Sequence, residues 1–511
     1  MSSRRLTAAL TAVALATPLL VASAGTATAA SPGKDGQRLA AKLVNESTAK
    51  NAYKHLLKFQ QIADANGGTR AAGTPGHDAS AKYVYDFMKK HGYDVSYDEF
   101  EFWTSTTKHE SLSVVSPDPR DLAVSALTFS KSTPVGGLVA PIAVAPVDAD
   151  GTHGCEESDF APGAFTGKIA LVKRGACTFL LKSQNAAKAG AAAVIVYNHS
   201  PGPLNGTLGD ATAVSIPSGG ITLDEGNALA AAAAQGEVTV NLDLQVDVVR
   251  STTRNVIAET KGGDADNVVM LGSHLDSVAQ GPGINDNGSG SAGLLEVART
   301  LADNESKPRN KVRFAWWSAE ELGLVGSEDW VATRTEAELA QIELYLNFDM
   351  IASPNYVLGV YDGDNSDGVG AEAGPEGSAQ LERRITDFMD RAGYPHVGTD
   401  FTGRSDYGPF IAVGIPAGGT FTGAEGIKTE SDAALFGGTA GAPYDACYHQ
   451  ACDDINNISM KAFDANIDLI ADSVGTYTHD LSSVHAPVVS TPTTGGNSGG
   501  GLHDDHHEPA L

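Results

Sequence analysis

Between Arg254 and Met350 the chain alternates two textures, and no other feature narrows its fold as much. The apolar runs NVIAET, NVVMLGSHLD, KVRFAWWS and LYLNFDM are separated by stretches with helical spacing over 290–302 and after Gly326. Short apolar runs bounded by turn residues read as buried strands. Strands that alternate with helices need crossover connections, which lay the helices on both faces of the sheet. The expected class is therefore α/β, a three-layer α/β/α domain on a mostly parallel, mixed sheet. In such sheets ligand sites lie beyond the carboxyl ends of the strands. The polar residues just past the apolar runs are the ones to weigh.

The flanking segments differ. Residues 39–65 and 77–91 have helical spacing, and Gly92 is a plausible stop before the strand-like VSYDEFEFW, so the body opens as helix, loop, helix, strand. From about 122 to 246 short Val/Ile/Ala runs are broken by Gly and Pro, as in GKIALVKRG, AAAVIVYN and GEVTVNLDL, which reads as a small β-rich domain with one or two helices. This divides the chain into 39–121, a β-rich unit at 122–249, and 250–485. Residues 1–30 carry Arg4 and Arg5, a short apolar run containing Pro18, and Ala27-Thr28-Ala29, the pattern of a secretory signal peptide rather than a membrane anchor. A secreted protein follows. Residues 486–511 are Pro/Thr/Gly/Ser-rich and read as a flexible tail. Their Gly496-Asn497-Ser498-Gly499-Gly500 matches the GxSxG elbow formally but offers no strand-to-helix turn, and His503, His506 and His507 read as solvated.

Composition removes some functions. With 35 Lys+Arg against 62 Asp+Glu the formal charge is -27, which excludes a nucleic-acid binder working through bulk positive charge. No later apolar run is long enough to span a bilayer, so no membrane partner is expected. A monomer is the expected state.

Five donors stand at strand ends or in Gly-rich turns: His274 in VVMLGSHLDS, Asp286 in GINDNGSGSAG, Glu321 in RFAWWSAEELG, Asp349 in LYLNFDM and His449 in CYHQACDD. Any one alone is more often an ordinary polar residue. Together, two His and three carboxylates suit two neighbouring zinc ions, with Asp286 bridging and one His and one carboxylate completing each ion. Manganese or cobalt would use the same donors. Asp276 could accept the far imidazole proton of His274. If Glu321 binds metal, its neighbour Glu320 can reach the activated water as general base, a role worth ~10²–10⁴-fold. Adjacent residues of a regular element face different ways, so this split needs an irregular turn. Cys447 and Cys452 bracket His449 and read as a disulfide in an exported protein, with a thiolate zinc site as the competing possibility. Tyr448 is either a packed aromatic or a donor to a developing oxyanion. Asp464 and Asp468, at i, i+4, are a candidate calcium pair or a solvated acidic face. Six Asn-x-Ser/Thr sequons, Asn287 among them, carry no weight.

The motifs SHLDS, INDNGSG, WWSAEELGLVGS, NFDMI and YHQACDD, in this order, resemble the secreted double-zinc aminopeptidases of the leucine aminopeptidase or aminopeptidase S type. The resemblance runs over about 40–125 and 250–480. It implies His274 and Asp349 on one zinc, Glu321 and His449 on the other, Asp286 bridging, Glu320 as base and Tyr448 as oxyanion donor. It also implies peptide or protein N-termini as substrates, large apolar residues such as Leu being favoured. GCEESDFAPGAFTGKIALVKRGACTF and KAGAAAVIVYN resemble a protease-associated domain inserted into the peptidase, with Cys155 and Cys177 as a second disulfide. FTGRSDYGPFIAVGIPAGGTFTG looks like the family's specificity region. There Phe401, Phe410, Ile411 and Phe421 either line an apolar pocket or pack in the core, and Arg404 either bonds substrate backbone or, in a carboxypeptidase relative, clamps a terminal carboxylate. The alternatives to an aminopeptidase are a carboxypeptidase or dipeptidase on the same scaffold, a glutaminyl cyclase, or a non-catalytic binding protein with a structural metal.

Overall fold

The computed structural model describes residues 32–147, 151–368 and 372–487; the signal segment and most of the tail lie outside these. The helical spacing over 39–65 proves to be two helices, Pro32–Glu46 and Ala49–Ala65. Thr48 causes the break: its backbone is extended and its Oγ1 accepts the Asn51 amide at 3.3 Å, an N-cap that restarts the helix. The third helix, Pro75–Lys90, ends before Gly92 at φ 90°. Pro32–Glu46 packs on the last helix, Met460–Tyr477, where a Cβ on Gly475 would fall 2.3 Å from Ala40 Cα. Only glycine admits that approach.

The main sheet runs Val397–Thr399, Gly359–Tyr361, Ala417–Phe421, Ile342–Phe348, Asp264–His274, Asn310–Trp317 and Thr239–Glu259. The middle strands are parallel, with Trp317 opposite His274 and Phe348 opposite Thr420; Gly359–Tyr361 pairs antiparallel with Ala417–Phe421 and Asn310–Trp317 antiparallel with Thr239–Glu259, while the edge pair Val397–Thr399 with Gly359–Tyr361 is parallel. Side chains alternate across it. Trp316 donates its indole N–H to the Ser291 carbonyl of helix Gly288–Asn304, whereas Trp317 packs against Trp330 and Phe410 on the other side. Helices therefore cover both faces, and Val269, Leu271, Phe314, Trp316, Leu344 and Leu346 are fully buried between them. Because the parallel strands end together, His274, Ser318 and Asp349 emerge on one edge.

A second group of strands, Leu138–Val144, Ile169–Lys173, Ala193–Tyr197 and Ser218–Ile221, is parallel and carries helices Phe179–Lys188 and Leu223–Gln235 around its own core. Cys155 and Cys177 are bonded within it. The strand expected at VSYDEFEFW runs on from Asp94 to Ser116 and pairs antiparallel with Thr239–Glu259 from Asp94↔Glu259 to Ser116↔Thr239. This ribbon joins both units, so the main domain gives way to the β-rich one along paired strands. Among the described residues no helix is long and apolar enough to cross a membrane.

Candidate metal centre

Six side chains meet at that edge. His274 Nε2 lies 3.2 Å from Asp286 Oδ1, 3.3 Å from Asp349 Oδ1 and 3.8 Å from Glu320 Oε2. His449 Nε2 lies 3.2 Å from Asp286 Oδ2 and 2.9 Å from Glu321 Oε2. The Asp286 carboxylate thus stands between the two imidazoles, one oxygen toward each. The His274 side chain is 1% exposed and that of His449 41%, so the centre has a dry floor and an open rim.

Local sequence explains the convergence. After Asp286, Asn287 caps helix Gly288–Asn304: its Oδ1 accepts the Gly290 amide at 2.9 Å and the Met350 amide at 3.3 Å, and its Nδ2 donates to the Phe348 carbonyl at 3.0 Å. One side chain therefore ties the backbone on both sides of Asp349 to the residue after Asp286. A Cβ on Gly290 would lie 2.1 Å from the Phe348 oxygen, so the small residue is needed for this seat. Glu320 and Glu321 begin a single 3₁₀ turn, Glu320–Leu322, flanked by Ala319 at φ 60° and Leu324 at φ 58°. Left-handed backbone is costly for residues with a Cβ, and here it turns two consecutive carboxylates to one site. Met350 and His449 are left-handed as well, at φ 44° and 56°. Cys447 and Cys452 are bonded to each other and close the loop that presents His449.

The charges are unbalanced: Asp286, Glu320, Glu321 and Asp349 face two imidazoles. Burial pushes Glu321 up to about 7, with Asp286 adding to it and His449 opposing. Burial also pushes Glu320 well above its usual range against the pull of His274. Burial would lower His449, but its bonds to Asp286 and Glu321 outweigh this and raise it to about 11. His274 is raised in the same way by Asp349 and Glu320. Such a centre suits divalent cations. Zinc with N and O ligands at ~2.0–2.1 Å would hold tetrahedral donors about 3.3 Å apart, and these imidazole–carboxylate separations are 2.9–3.3 Å. Glu321 Oε1 is buried without a hydrogen-bond partner, a lone pair that a metal would use.

Other residues named from the sequence fall around this centre. His274 Nδ1 lies 3.2 Å from the Asp276 carbonyl and 3.7 Å from its carboxylate, whose Oδ1 instead accepts the Glu320 amide at 3.3 Å. Asp276 thus faces both the histidine and the Glu320 turn. Tyr448 stacks on His449 with ring centroids 3.7 Å apart, and burial together with the nearby carboxylates holds its phenol protonated. Arg404 is half-buried next to Ser405, whose hydroxyl donates to Asp349 Oδ2 at 2.6 Å. Phe421 is buried at the end of its strand, one residue past the Thr420–Phe348 pair. Phe410 belongs to the core, stacked on Tyr345 at 3.9 Å, while Phe401 and Ile411 line a cleft of about 500 Å³ with Leu324, Thr402 and Pro409. Asp464 accepts the Ala49 amide and Asp468 the Tyr394 hydroxyl. Sequence reasoning missed Asn287, Ser405, Arg70 and Asp453. Only the tight INDNGSG turn hinted at the first.

Residues 255–474 match peptidase family M28 and residues 136–229 the PA domain. The chain belongs to peptidase family M28 and is a metallo-aminopeptidase, a hydrolase of peptide bonds, with a PA domain inserted in its peptidase fold. A probable leucine aminopeptidase 2 of Aspergillus fumigatus is 47% identical over 418 residues, 81% of this chain and 80% of the relative. An aminopeptidase of Pseudomonas aeruginosa is 46% identical over 438 residues, 83% and 80% of the two chains. Of solved structures, an aminopeptidase from Aneurinibacillus sp. strain AM-1 has a TM-score of 0.68 at 30% identity, covering 86% of this chain and 95% of that one. A zinc aminopeptidase from Bacillus subtilis has a TM-score of 0.60 at 29% identity, covering 84% and 95%.

Proposed function

We propose that this is a secreted monomeric aminopeptidase that uses two zinc ions and removes N-terminal residues, large apolar ones such as Leu in preference. The observation that carries the two-ion reading is the Asp286 carboxylate, 3.2 Å from each imidazole through a different oxygen. His274 and Asp349 would hold one ion, Glu321 and His449 the other, and Asp286 both. Four carboxylates balance two dications. The names of the Aspergillus relative and the Bacillus structure support leucine and zinc respectively. The domain limits 39–121, 122–249 and 250–485, the signal at 1–30, the tail at 486–511 and a calcium at Asp464 and Asp468 belong to the same proposal.

Zinc bound there would polarise the scissile carbonyl and acidify a water. Glu320 stands farther from His274 Nε2 than Asp286 or Asp349 does, and its turn is held by Asp276; both favour a base over a ligand. It takes the nucleophile's proton and returns it to the leaving amine. Tyr448, protonated beside His449, donates to the oxyanion. The acidic rim attracts the substrate ammonium, Arg404 bonds substrate backbone, and Phe421 contributes apolar surface for the first side chain. The test compares a leucyl chromogenic amide with its N-acetylated twin, with and without chelator, in parent and Glu320→Gln. Chelator-sensitive release from the free amine alone, abolished by Glu320→Gln while zinc content is kept, is the expected result. Retained activity in that variant removes Glu320 from the base role.

A further inference from the structure

His274 ends one strand and Asp286 precedes one helix, so the loop between them sets how far apart these donors stand. Arg70, from the N-terminal part of the chain, is wholly buried beneath this loop. Its Nε donates to the Pro282 carbonyl at 2.8 Å, and its two terminal nitrogens donate to the carbonyls of Leu275 and Gly283. Its amide donates to Ser277 Oγ at 3.0 Å, and the hydroxyl of Thr69 donates to the Val278 carbonyl at 2.9 Å. Both ends of the loop are thus held by one guanidinium, whose planar fork suits divergent carbonyls as an ammonium would not.

The amides of the same loop turn to a buried carboxyl group. Asp453, 2% exposed, accepts the Asn285 amide on Oδ1 at 2.8 Å and the Asp286 amide on Oδ2 at 3.0 Å, while its carbonyl accepts the Ile284 amide at 3.1 Å. Asn457 Nδ2 steadies it at 3.0 Å. Asp453 directly follows Cys452, so it also joins the loop of His449 to the backbone of Asp286. Burial lowers Arg70 to about 10, and Asp276 and Asp453 are the leading charges that oppose this. Removing either member leaves the buried backbone groups it pairs without partners.

We propose that Arg70 and Asp453 are a positioning pair for the metal centre: a buried guanidinium takes the carbonyls and a buried carboxyl group the amides of the 275–286 loop, and together they fix the spacing of His274 and Asp286. This rests on the reading that those two residues hold metal. The test uses the full chain and the variants Arg70→Met, Arg70→Lys, Asp453→Asn and Arg70→Met/Asp453→Asn. Zinc affinity is read by competition with a chromogenic chelator, and Tm with zinc and with excess chelator. Tyr93→Phe, which removes a remote buried bond to the Ala298 carbonyl, is the control. Arg70→Met and Asp453→Asn each weaken zinc binding about 10–100-fold and shrink the rise in Tm that zinc produces. Arg70→Lys weakens it less, and the double variant loses less than the singles combined. The control lowers both Tm values equally and leaves zinc affinity unchanged. If Arg70→Met and Asp453→Asn behave like the control, the pair supports the fold only and the proposal is overturned. Should Arg70→Met fail to fold, Arg70→Lys and Asp453→Asn decide. If the parent binds no zinc, or His274→Ala and Asp286→Ala bind it as the parent does, the metal centre itself is wrong.

Discussion

Asn287→Ala tests the idea that one cap residue sets the distance between Asp286 and Asp349. The amide makes three hydrogen bonds, all in a region closed to solvent: two accepted, from Gly290 and Met350, and one donated, to Phe348. Truncation strands two N–H groups and a carbonyl, each costing about 1–3 kcal/mol when left without a partner. The helix cap contributes to the first of these rather than adding to it. Water entering the vacated volume recovers part of the cost, so the expected loss is about 4 kcal/mol. Urea unfolding of the chelated protein measures it free of metal linkage, with zinc affinity recorded in parallel. Because the bonds flank Asp349, affinity should fall with stability, by about 10-fold or more. A loss below about 1 kcal/mol with zinc affinity unchanged would refute the reasoning, since Asn287 would then neither cap the helix nor seat Asp349.

Two further outcomes follow from the same geometry. Tyr448→Phe should lower kcat about 10²–10³-fold and leave zinc content as it was; an unchanged kcat assigns Tyr448 to packing on His449. Glu382 is a pH marker away from the metal centre. Its Oε2 accepts the Gly363 and Asp364 amides, yet burial, then the charges of Asp364 and Asp362, push it from 4.5 to about 8. The folded state holds this proton more tightly, so the stability it gives is fully present below pH 4.5 and is lost as pH rises through about 8. Glu382→Gln should have a higher Tm than the parent near pH ~9 and the same Tm near pH ~4; parallel Tm curves would show that the carboxyl is not perturbed.

Of the five residues proposed as metal donors, the convergence of His274, Glu321 and Asp349 was legible because parallel strands end together, so a residue just past an apolar run has its position in space given by its position in sequence. The β-rich unit was legible from its short Val/Ile runs, and its PA character from a resemblance of its motifs. Thr48 was not, because apolar periodicity carries through the two-residue break at Ser47 and Thr48 and hides it. The length of strand Asp94–Ser116 was also hidden. Its TSTTKHES stretch is largely exposed, with no buried face to leave an alternating trace. Arg70 is read by carbonyls 205 to 213 residues away, and no local pattern announces such a contact. The role of Asn287 was not legible because nothing in INDNGSG says that its side chain is buried against the end of the Phe348 strand.

The ribbon of Asp94–Ser116 and Thr239–Glu259 bears on how the two units came to share a chain. The β-rich unit is entered and left by adjacent strands, whose spacing is about 4.7–4.9 Å. To the peptidase fold it is a hairpin with an oversized tip. Once the ribbon is paired the ends of the insert are already together, and the entropy cost of bringing them there grows only slowly with the insert's length, by about 0.6 kcal/mol for each doubling. A change in the length of that tip therefore leaves the register of the sheet that carries His274 and Asp349 as it is.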